Sequence, residues 1–262
     1  MISKEEFEKQ KQERMKEIRY NKYNTPMKIV EYNSYADIIV EFQDEYKTRV
    51  HTNYGSFKRN EVTNPYDKTL FNVGYLGEGK YERYKNGRNT KFYSCWSHML
   101  KRCYDAYFLN KHQSYIKCIV CKEWHCFQNF AEWFYENYYE IDNQRMDLDK
   151  DILIKGNKIY SPETCVFVPQ RINKLITKRE TLRGNCLIGV RWHNRDCVFE
   201  VRCQDVNCKQ QYLGRFDNEY EAFMVYKQYK EKVIKQVAEE YKNFIPKKLY
   251  KALYEYKIEI ND

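Results

Sequence analysis

Arginines recur at short intervals through residues 189–215 of this 262-residue chain, beside short runs of apolar residues. A guanidinium group can donate two parallel hydrogen bonds to guanine, so arginines held on a rigid surface can read base edges. The charged residues with this spacing are Arg191, Arg195, Glu200, Arg202 and Arg215. Their types and spacing predict recognition of base edges in a DNA groove.

Three short strands and one long helix are predicted to position these side chains. Residues 189–192, 198–203 and 210–213 have the composition of strands, and Gly214 closes the third. A helix capped by Asp217 follows, with apolar residues at three- and four-residue spacing. Those residues are Ala222, Phe223, Tyr226, Tyr229 and Val233.

Alternation along the middle strand predicts which face of this sheet is buried. Phe199, Val201 and Cys203 point to one side and are expected to pack on the helix. Glu200 and Arg202 point to the other side, together with the neighbouring arginines. A three-stranded sheet with an open basic face can enter the major groove of a duplex.

The segments GVRWH, FEVR, YLGRF and EAFMVY resemble the apetala-type DNA-binding domain of plant ethylene-response factors, which also occurs in phage and mobile-element proteins. The resemblance covers about a sixth of the chain. In that family the sheet contacts DNA and the helix supports the sheet. The resemblance implies DNA contacts by Arg191, Trp192, Arg195, Glu200, Arg202, Tyr212 and Arg215. The alternative is a small αβ domain with a solvated charged face.

Charge and composition agree with a nucleic-acid partner. The net charge is +9 and the pI is about 8.9, which favours phosphate contacts and salt-sensitive association. No run of eighteen apolar residues is present, so no membrane span is expected, and the N-terminus has no apolar signal core. The predicted location is the host-cell cytoplasm or nucleoid.

The N-terminal part of the chain is predicted to hold a charged helix and a small β-domain. The helix spans residues 3–22 and opens with a capping box formed by Ser3 and Glu6. Alternating apolar residues between positions 27 and 75 predict three to five strands. Residues 54–59 resemble a basic loop.

The middle of the chain is predicted to contain two helices followed by a ββα outline. The first helix places Trp96, Met99, Leu100 and Cys103 on one face, and the second carries an aromatic stripe from Phe127. This outline consists of a strand ending at Asp149, a Gly-Asn loop, a second strand at residues 158–160 and a helix-like turn from Ser161.

This order resembles the phage HNH endonucleases, including homing endonucleases, over about eighty residues. Members of that group hold one metal ion with an aspartate and with an asparagine or histidine, and a neighbouring histidine deprotonates the attacking water. The resemblance implies Mg²⁺ or Mn²⁺ beside Asp149, with Asn157 in the catalytic loop. Lys150 stands at the catalytic position where the base histidine belongs.

The chain departs from the catalytic pattern of that group at two positions. Lys150 is expected to be a poor base, because a lysine is cationic near neutral pH unless it is strongly desolvated. Thr164 occupies the place of the second metal ligand, and its hydroxyl is a weak ligand for a hard cation. Asp151 and Glu163 carry hard oxygens and could substitute, although Glu163 is equally explained by a helix dipole.

The cysteines offer a second metal hypothesis. Cys118 and Cys121 have the spacing of half a zinc site, which Cys103, Cys126, Cys165, His98 or His125 would have to complete. No second pair with this spacing exists, and buried apolar residues would serve equally at both positions. Buried thiols are therefore favoured over structural zinc.

The predicted fold class is α+β and multidomain. We expect a charged N-terminal helix at 1–25, a small β-domain at 27–80 and an HNH-like ββα module at 88–178. A three-stranded antiparallel sheet plus helix DNA reader follows at 184–235, and a helical tail at 236–262 closes the core or contacts a second protomer.

Three functional hypotheses follow from these assignments. The leading one is a homing-type HNH endonuclease of phage or mobile-element origin, which hydrolyses phosphodiester bonds at sites in double-stranded DNA. The second is a catalytically inactive descendant that acts as a DNA-binding regulator. The third is a protein-binding inhibitor that reuses the scaffold. A homodimer is expected where the target site is palindromic.

Overall fold

The computed structural model describes residues 3–177, 186–260 and 262. The chain has a mixed α+β structure with several small sheets, which confirms the predicted class. It divides into two compact units, Met1–Glu136 and Asn137–Asp262. The predicted domain bounds at residues 1, 178 and 184 lie outside the described residues.

The first unit begins with a helix on a four-stranded antiparallel sheet. The elements are α1 (Lys4–Arg14), β1 (Ile18–Tyr20), β2 (Pro26–Ser34), β3 (Asp37–Phe42) and β4 (Arg49–Thr52), and the strands pair in chain order. Alternate residues of β2 and β3 are buried because one sheet face packs inward. Phe7 and Met15 pack against this core.

Two local predictions in this region need correction. Ser3 caps α1 as expected, since its hydroxyl accepts the Glu6 N–H at 3.2 Å, but the helix ends at Arg14 rather than near residue 22. Residues of the predicted basic loop form a short helix instead, α2 (Tyr54–Lys58), capped by Asn53. Tyr54 and Phe57 are buried there, so the segment belongs to the core of the unit.

The rest of the first unit is a helical region with an aromatic core. It contains β5 (Tyr84–Lys85), β6 (Arg88–Asn89), α3 (Lys91–Tyr104), α4 (Ala106–Lys111), β7 (Ile119–Val120) and α5 (Phe127–Asn137). The predicted apolar face of α3 is confirmed, because Trp96, Met99 and Leu100 are buried. The Trp96 indole donates to the Trp124 carbonyl at 2.7 Å, which satisfies its N–H inside the core.

The second unit begins with a ββα motif whose parts differ from the sequence prediction. Its elements are β8 (Met146–Asp149), β9 (Ile159–Tyr160), β10 (Val166–Pro169) and α6 (Gln170–Ile176). The strand antiparallel to β8 is β10, not residues 158–160, and Asp149 pairs with Val166. The predicted helix-like turn at Ser161 is a turn that leads into β10, and the helix of the motif is α6.

A three-stranded antiparallel sheet followed by a long helix completes the predicted order. The elements are β11 (Val190–His193), β12 (Val198–Gln204), β13 (Gln210–Phe216) and α7 (Glu219–Tyr241). The helix cap is Asn218 rather than Asp217, since the Asn218 side chain accepts the N–H groups of Tyr220 and Glu221. Gly189 has a φ of +78°, and the Tyr226 ring lies 2.1 Å from the point where a Cβ would stand. Glycine is therefore required where the chain enters β11.

One hydrophobic core joins the parts of this second unit. Ile152, Val166 and Ile172 of the ββα region belong to the same buried cluster as Val201 and Phe223. Helix α8 (Lys247–Tyr254) adds Leu249 and Leu253, as predicted for a tail that closes the core. Phe244, which lies between α7 and α8, is 63% exposed. Among the described residues, no helix is long and apolar enough to cross a membrane.

Candidate nucleic-acid interface

The three-stranded sheet has one buried face and one charged face, as the alternation predicts. On the inner face Val201 and Cys203 are buried and Phe199 is half-buried in the core that includes α7. On the outer face Arg191 lies opposite Glu200, and Glu200 lies opposite Arg215 on the third strand. We call this outer surface of β11–β13 the arginine face.

A β-bulge completes the arginine face. The register shifts between Val201 and Arg202, so that Arg202 pairs with Tyr212 and Val201 pairs with Gly214. Bulges re-aim side chains and increase the local twist of a sheet. Arg202 and the exposed Tyr212 therefore form a second polar row beside the row of Arg191, Glu200 and Arg215.

Glu200 differs from the expectation that its side chain stands open to a groove. It is only 7% exposed, its Oε1 accepts the Arg202 Nε at 2.8 Å, and its Oε2 lies 3.9 Å from an Arg215 nitrogen. A buried carboxylate needs cationic or hydrogen-bonding partners, and two guanidinium groups supply them here. Glu200 thus orients two arginines and does not itself reach the surface.

Asp196, in the turn between β11 and β12, holds the other end of Arg215. Its Oδ2 accepts the Arg215 Nη1 at 2.6 Å and lies 3.4 Å from the His193 Nδ1, while its Oδ1 is 3.3 Å from the Arg195 Nε. Sequence reasoning missed Asp196, because an aspartate in a turn has many ordinary roles. Asp196 could be found only once the strand register showed where Arg215 lies.

The other residues predicted to contact DNA differ in how exposed they are and in which face of the sheet they lie on. Arg202 is 55% exposed, Arg215 is 45% exposed and Arg195 is 90% exposed. Within the described part of the chain, no carboxylate lies at ion-pair distance from Arg191. Trp192 lies on the opposite side of the sheet from the arginines, paired with Phe199 at a ring distance of 4.8 Å.

The loop that follows β8 contains the predicted catalytic residues, and we call residues 149–157 the Asp149 loop. The Asp149 Oδ1 accepts the N–H groups of Asp151 at 2.9 Å and of Ile152 at 2.7 Å. Burial raises the pKa of Asp149 to about 6, and the nearby charge of Asp151 adds to the increase, although the two N–H donors oppose it. The Asp149 carboxyl therefore serves first to fix the turn.

Asn157 is occupied by the backbone of the same loop. Its amide Nδ2 donates to the Lys150 carbonyl at 2.7 Å and to the Ile159 carbonyl at 2.6 Å. Its Oδ1 accepts the Ile159 N–H at 3.2 Å. Both ends of the side chain are thus engaged in closing the loop.

Lys150 is buried and lies near Asp151 of its own loop and Tyr160 of β9. Its ammonium donates to the Asp151 Oδ2 at 3.0 Å and stands 5.8 Å from the centre of the Tyr160 ring. The Lys150 side chain is 9% exposed, and its charge is paired with the carboxylate of Asp151, which is 44% exposed. An ammonium group has hydrogen-bond donors and no acceptor, so while it pairs with Asp151 it offers no electron pair to a proton of water.

The two residues predicted near the second metal position are oriented elsewhere. The Thr164 hydroxyl donates to the Ile159 carbonyl at 2.7 Å and lies 3.1 Å from the Ser161 hydroxyl. Glu163 is exposed, and a hydrogen bond from Ser161 lowers its pKa. Within the described residues, no hydrogen bond joins Asp149 to Thr164 or Glu163.

These contacts do not form a donor set for a divalent cation. Mg²⁺ and Mn²⁺ require several oxygen ligands that face one point. The Asn157 oxygen is engaged by the backbone, and the ammonium of Lys150 already neutralises Asp151. In residues 3–177, 186–260 and 262, no group of three or more His, Cys, Asp or Glu side chains could hold a metal ion.

The cysteine pair lies in the first unit. Cys118 is buried, and its thiol is 3.9 Å from the Ser114 carbonyl, whereas Cys121 is half-buried. The His125 Nε2 lies 3.1 Å from the Val120 carbonyl, and burial lowers the pKa of this histidine. The geometry therefore gives Cys118 and His125 local partners within the described residues.

A scan against protein-family models and searches of curated proteins and of solved structures found no match to this chain. The family resemblances drawn from the sequence therefore stay predictions. The functional argument rests on the side-chain geometry of the second unit.

Proposed function

We propose that this chain is a sequence-specific double-stranded DNA-binding protein of phage or mobile-element type, acting in the cytoplasm or nucleoid of its host cell. The observation that carries the proposal is the arginine face. It presents Arg191, Arg202 and Arg215 from three adjacent strands, and the buried Glu200 orients Arg202 and Arg215. Guanidinium groups held in this way suit bidentate pairing with guanine.

The family assignment is part of this proposal. The order of three strands and one helix, with arginines outward and apolar residues inward, supports an apetala-type reader. The motif of β8, β10 and α6 supports an HNH-type ancestry. Because the Asp149 loop uses its polar groups internally, we favour a regulator that binds DNA without cleaving it.

The proposal is tested by selecting binding sites from a random duplex pool with the purified protein. We expect an enriched sequence that contains guanines, and a palindromic one would indicate a homodimer. Arg202→Ala should weaken binding to that sequence by about 1–3 kcal/mol and weaken binding to random duplex much less. Absence of any enriched sequence would contradict the proposal and favour a protein-binding role.

A second candidate function, metal-dependent DNA cleavage, is favoured by one observation. Asp149 ends a strand of a ββα motif, and its half-buried carboxyl lies beside Asp151. The test is to map breaks in DNA from the source genome with Mg²⁺, with Mn²⁺ and with a chelator. Site-specific breaks that require metal and vanish in Asp149→Ala would establish the endonuclease. Intact DNA under all three conditions would contradict cleavage and support the regulator that binds DNA without cutting it.

A further inference from the structure

A short basic hairpin precedes α3 in the first unit, and we call residues 80–91 the basic hairpin. Strands β5 and β6 are joined by Asn86 and Gly87, both of which have left-handed backbones with φ of +50° and +76°. This is the two-residue turn that matches the twist of a hairpin. Residues 82–89 are all exposed, so this tip projects into solvent.

The base of the hairpin is firmly anchored. Gln128 of α5 donates to the Tyr81 carbonyl at 2.9 Å and accepts the Tyr81 N–H at 3.0 Å. Thr90, which caps α3, donates through its hydroxyl to the Glu82 carbonyl at 3.1 Å. Arg83 stands 4.7 Å above the Tyr93 ring. The tip is therefore a supported ribbon and not a loose loop.

The charge of the tip is unfavourable for the isolated protein. Residues 80–91 contain five lysines and arginines and one glutamate. Lys85 and Arg88 are direct cross-strand partners, and like charges in that position destabilise a hairpin. Within the described residues, neither has a carboxylate at ion-pair distance. Such an arrangement is relieved when a polyanion binds.

We propose that the basic hairpin is a second contact with duplex DNA, in which Lys85 and Arg88 bind backbone phosphates at the edge of a groove. This inference rests on the proposed function, because its partner is of the same kind, double-stranded DNA. A two-stranded ribbon has the width that the major groove admits. Tyr84 is 59% exposed beside these cations, and its hydroxyl donates to the Gly87 carbonyl. The turn is thereby held in shape for a groove.

The test compares charge removal at the tip with matched charge removal elsewhere. Lys85→Ala combined with Arg88→Ala removes two cations from the hairpin, and Lys9→Ala combined with Lys16→Ala removes two exposed cations from the N-terminal segment. The affinity of each full-length variant for random duplex is measured over a series of salt concentrations. We expect the hairpin variant to reduce the slope of log affinity against log salt by about two, and the control to leave it unchanged.

A third variant separates shape from charge. Gly87→Ala keeps both cations, and no atom lies within 4 Å of the added Cβ, so only the left-handed turn is strained. We expect weaker duplex binding from this variant as well. Unchanged binding would overturn the claim that the shape of the turn positions Lys85 and Arg88 at the edge of a groove.

The outcomes distinguish this inference from the proposed function. Equal slopes for the hairpin variant and its control would overturn the inference, even if the arginine face selects a sequence. A larger loss on single-stranded RNA than on duplex would overturn it in favour of an RNA contact. A reduced slope on random duplex would support the inference even if Arg202→Ala leaves sequence preference unchanged.

Discussion

The arginine face and the Asp149 loop belong to one unit and share one core, yet they use their polar groups in opposite ways. On the arginine face, Glu200 and Asp196 are the inner partners, and the guanidinium groups extend outward. In the Asp149 loop, the carboxyl and amide groups are turned onto the backbone. The first arrangement leaves hydrogen-bond donors available to a ligand. In the second arrangement the polar groups are already hydrogen-bonded within the loop.

This difference separates recognition from catalysis in physical terms. A binding face gains specificity when its donors are held in place before the ligand arrives, because less side-chain entropy is lost on binding. A metal centre needs several oxygens that converge on one point. On β11–β13 the second unit holds its donors in place. In the Asp149 loop it does not bring several oxygens to one point.

The largest expected effect concerns Asn157, which the comparison assigns to stability. Asn157→Ala should lower the free energy of unfolding by about 2–3 kcal/mol, because it removes three hydrogen bonds that close the loop: two donated to the Lys150 and Ile159 carbonyls and one accepted from the Ile159 N–H. Chemical denaturation measures the loss. The exposed Asn243→Ala is the control and should change stability by less than about 0.5 kcal/mol. A variant of normal stability that fails to bind DNA would place Asn157 in the interface instead.

The next effect is a pH dependence at Asp149. The pKa of about 6 in the folded protein lies above the ordinary value of 3.8, so ionisation disfavours the folded state. The stability from this group is present below about pH 4 and is lost as the pH rises through 6. Asp149→Asn retains the acceptor oxygen and should be more stable than the parent by about 2 kcal/mol at pH 8, with the gain disappearing near pH 4. Denaturation curves at both pH values measure it, and an equal gain at both would contradict the account.

The smallest effect concerns the anchor of the arginine face. Glu200→Gln keeps the size of the side chain but removes the charge that orients Arg202 and Arg215. Binding to the selected sequence should weaken by about 1 kcal/mol, while binding to random duplex should not weaken. Titration of the protein with each duplex measures the ratio of the affinity for the selected sequence to the affinity for random duplex. Glu255→Gln, an exposed site with the same change of charge, should not alter that ratio. Equal weakening on both duplexes would make Glu200 a purely structural residue.

Much of the fold was predictable because its signals are local. The alternation in β12 and the three- and four-residue spacing in α7 predicted their buried faces, and the Ser3 cap predicted the start of α1. The pairing of β8 with β10 was not predictable, because residues 166–169 are all buried and show no alternation. The early end of α1 reflects the competing strand β1, which forms only with β2.

The candidate sites show the same limit. The outward direction of Arg202 followed from the period of a strand, but the burial of Glu200 depended on the register of two strand pairs. The resemblance to HNH endonucleases singled out Asn157, but it did not predict which groups the side chain contacts. Those contacts come from the closure of the loop on Lys150 and Ile159.

Arg202→Lys tests the central claim most directly, because it keeps the positive charge and removes the planar pair of donors. The measurement is the ratio of affinities for the selected duplex and for random duplex, compared with the parent protein at the same salt concentration. The account predicts that the ratio falls by about tenfold while the affinity for random duplex is retained. An unchanged ratio would show that Arg202 supplies charge alone, and base reading by the arginine face would be contradicted.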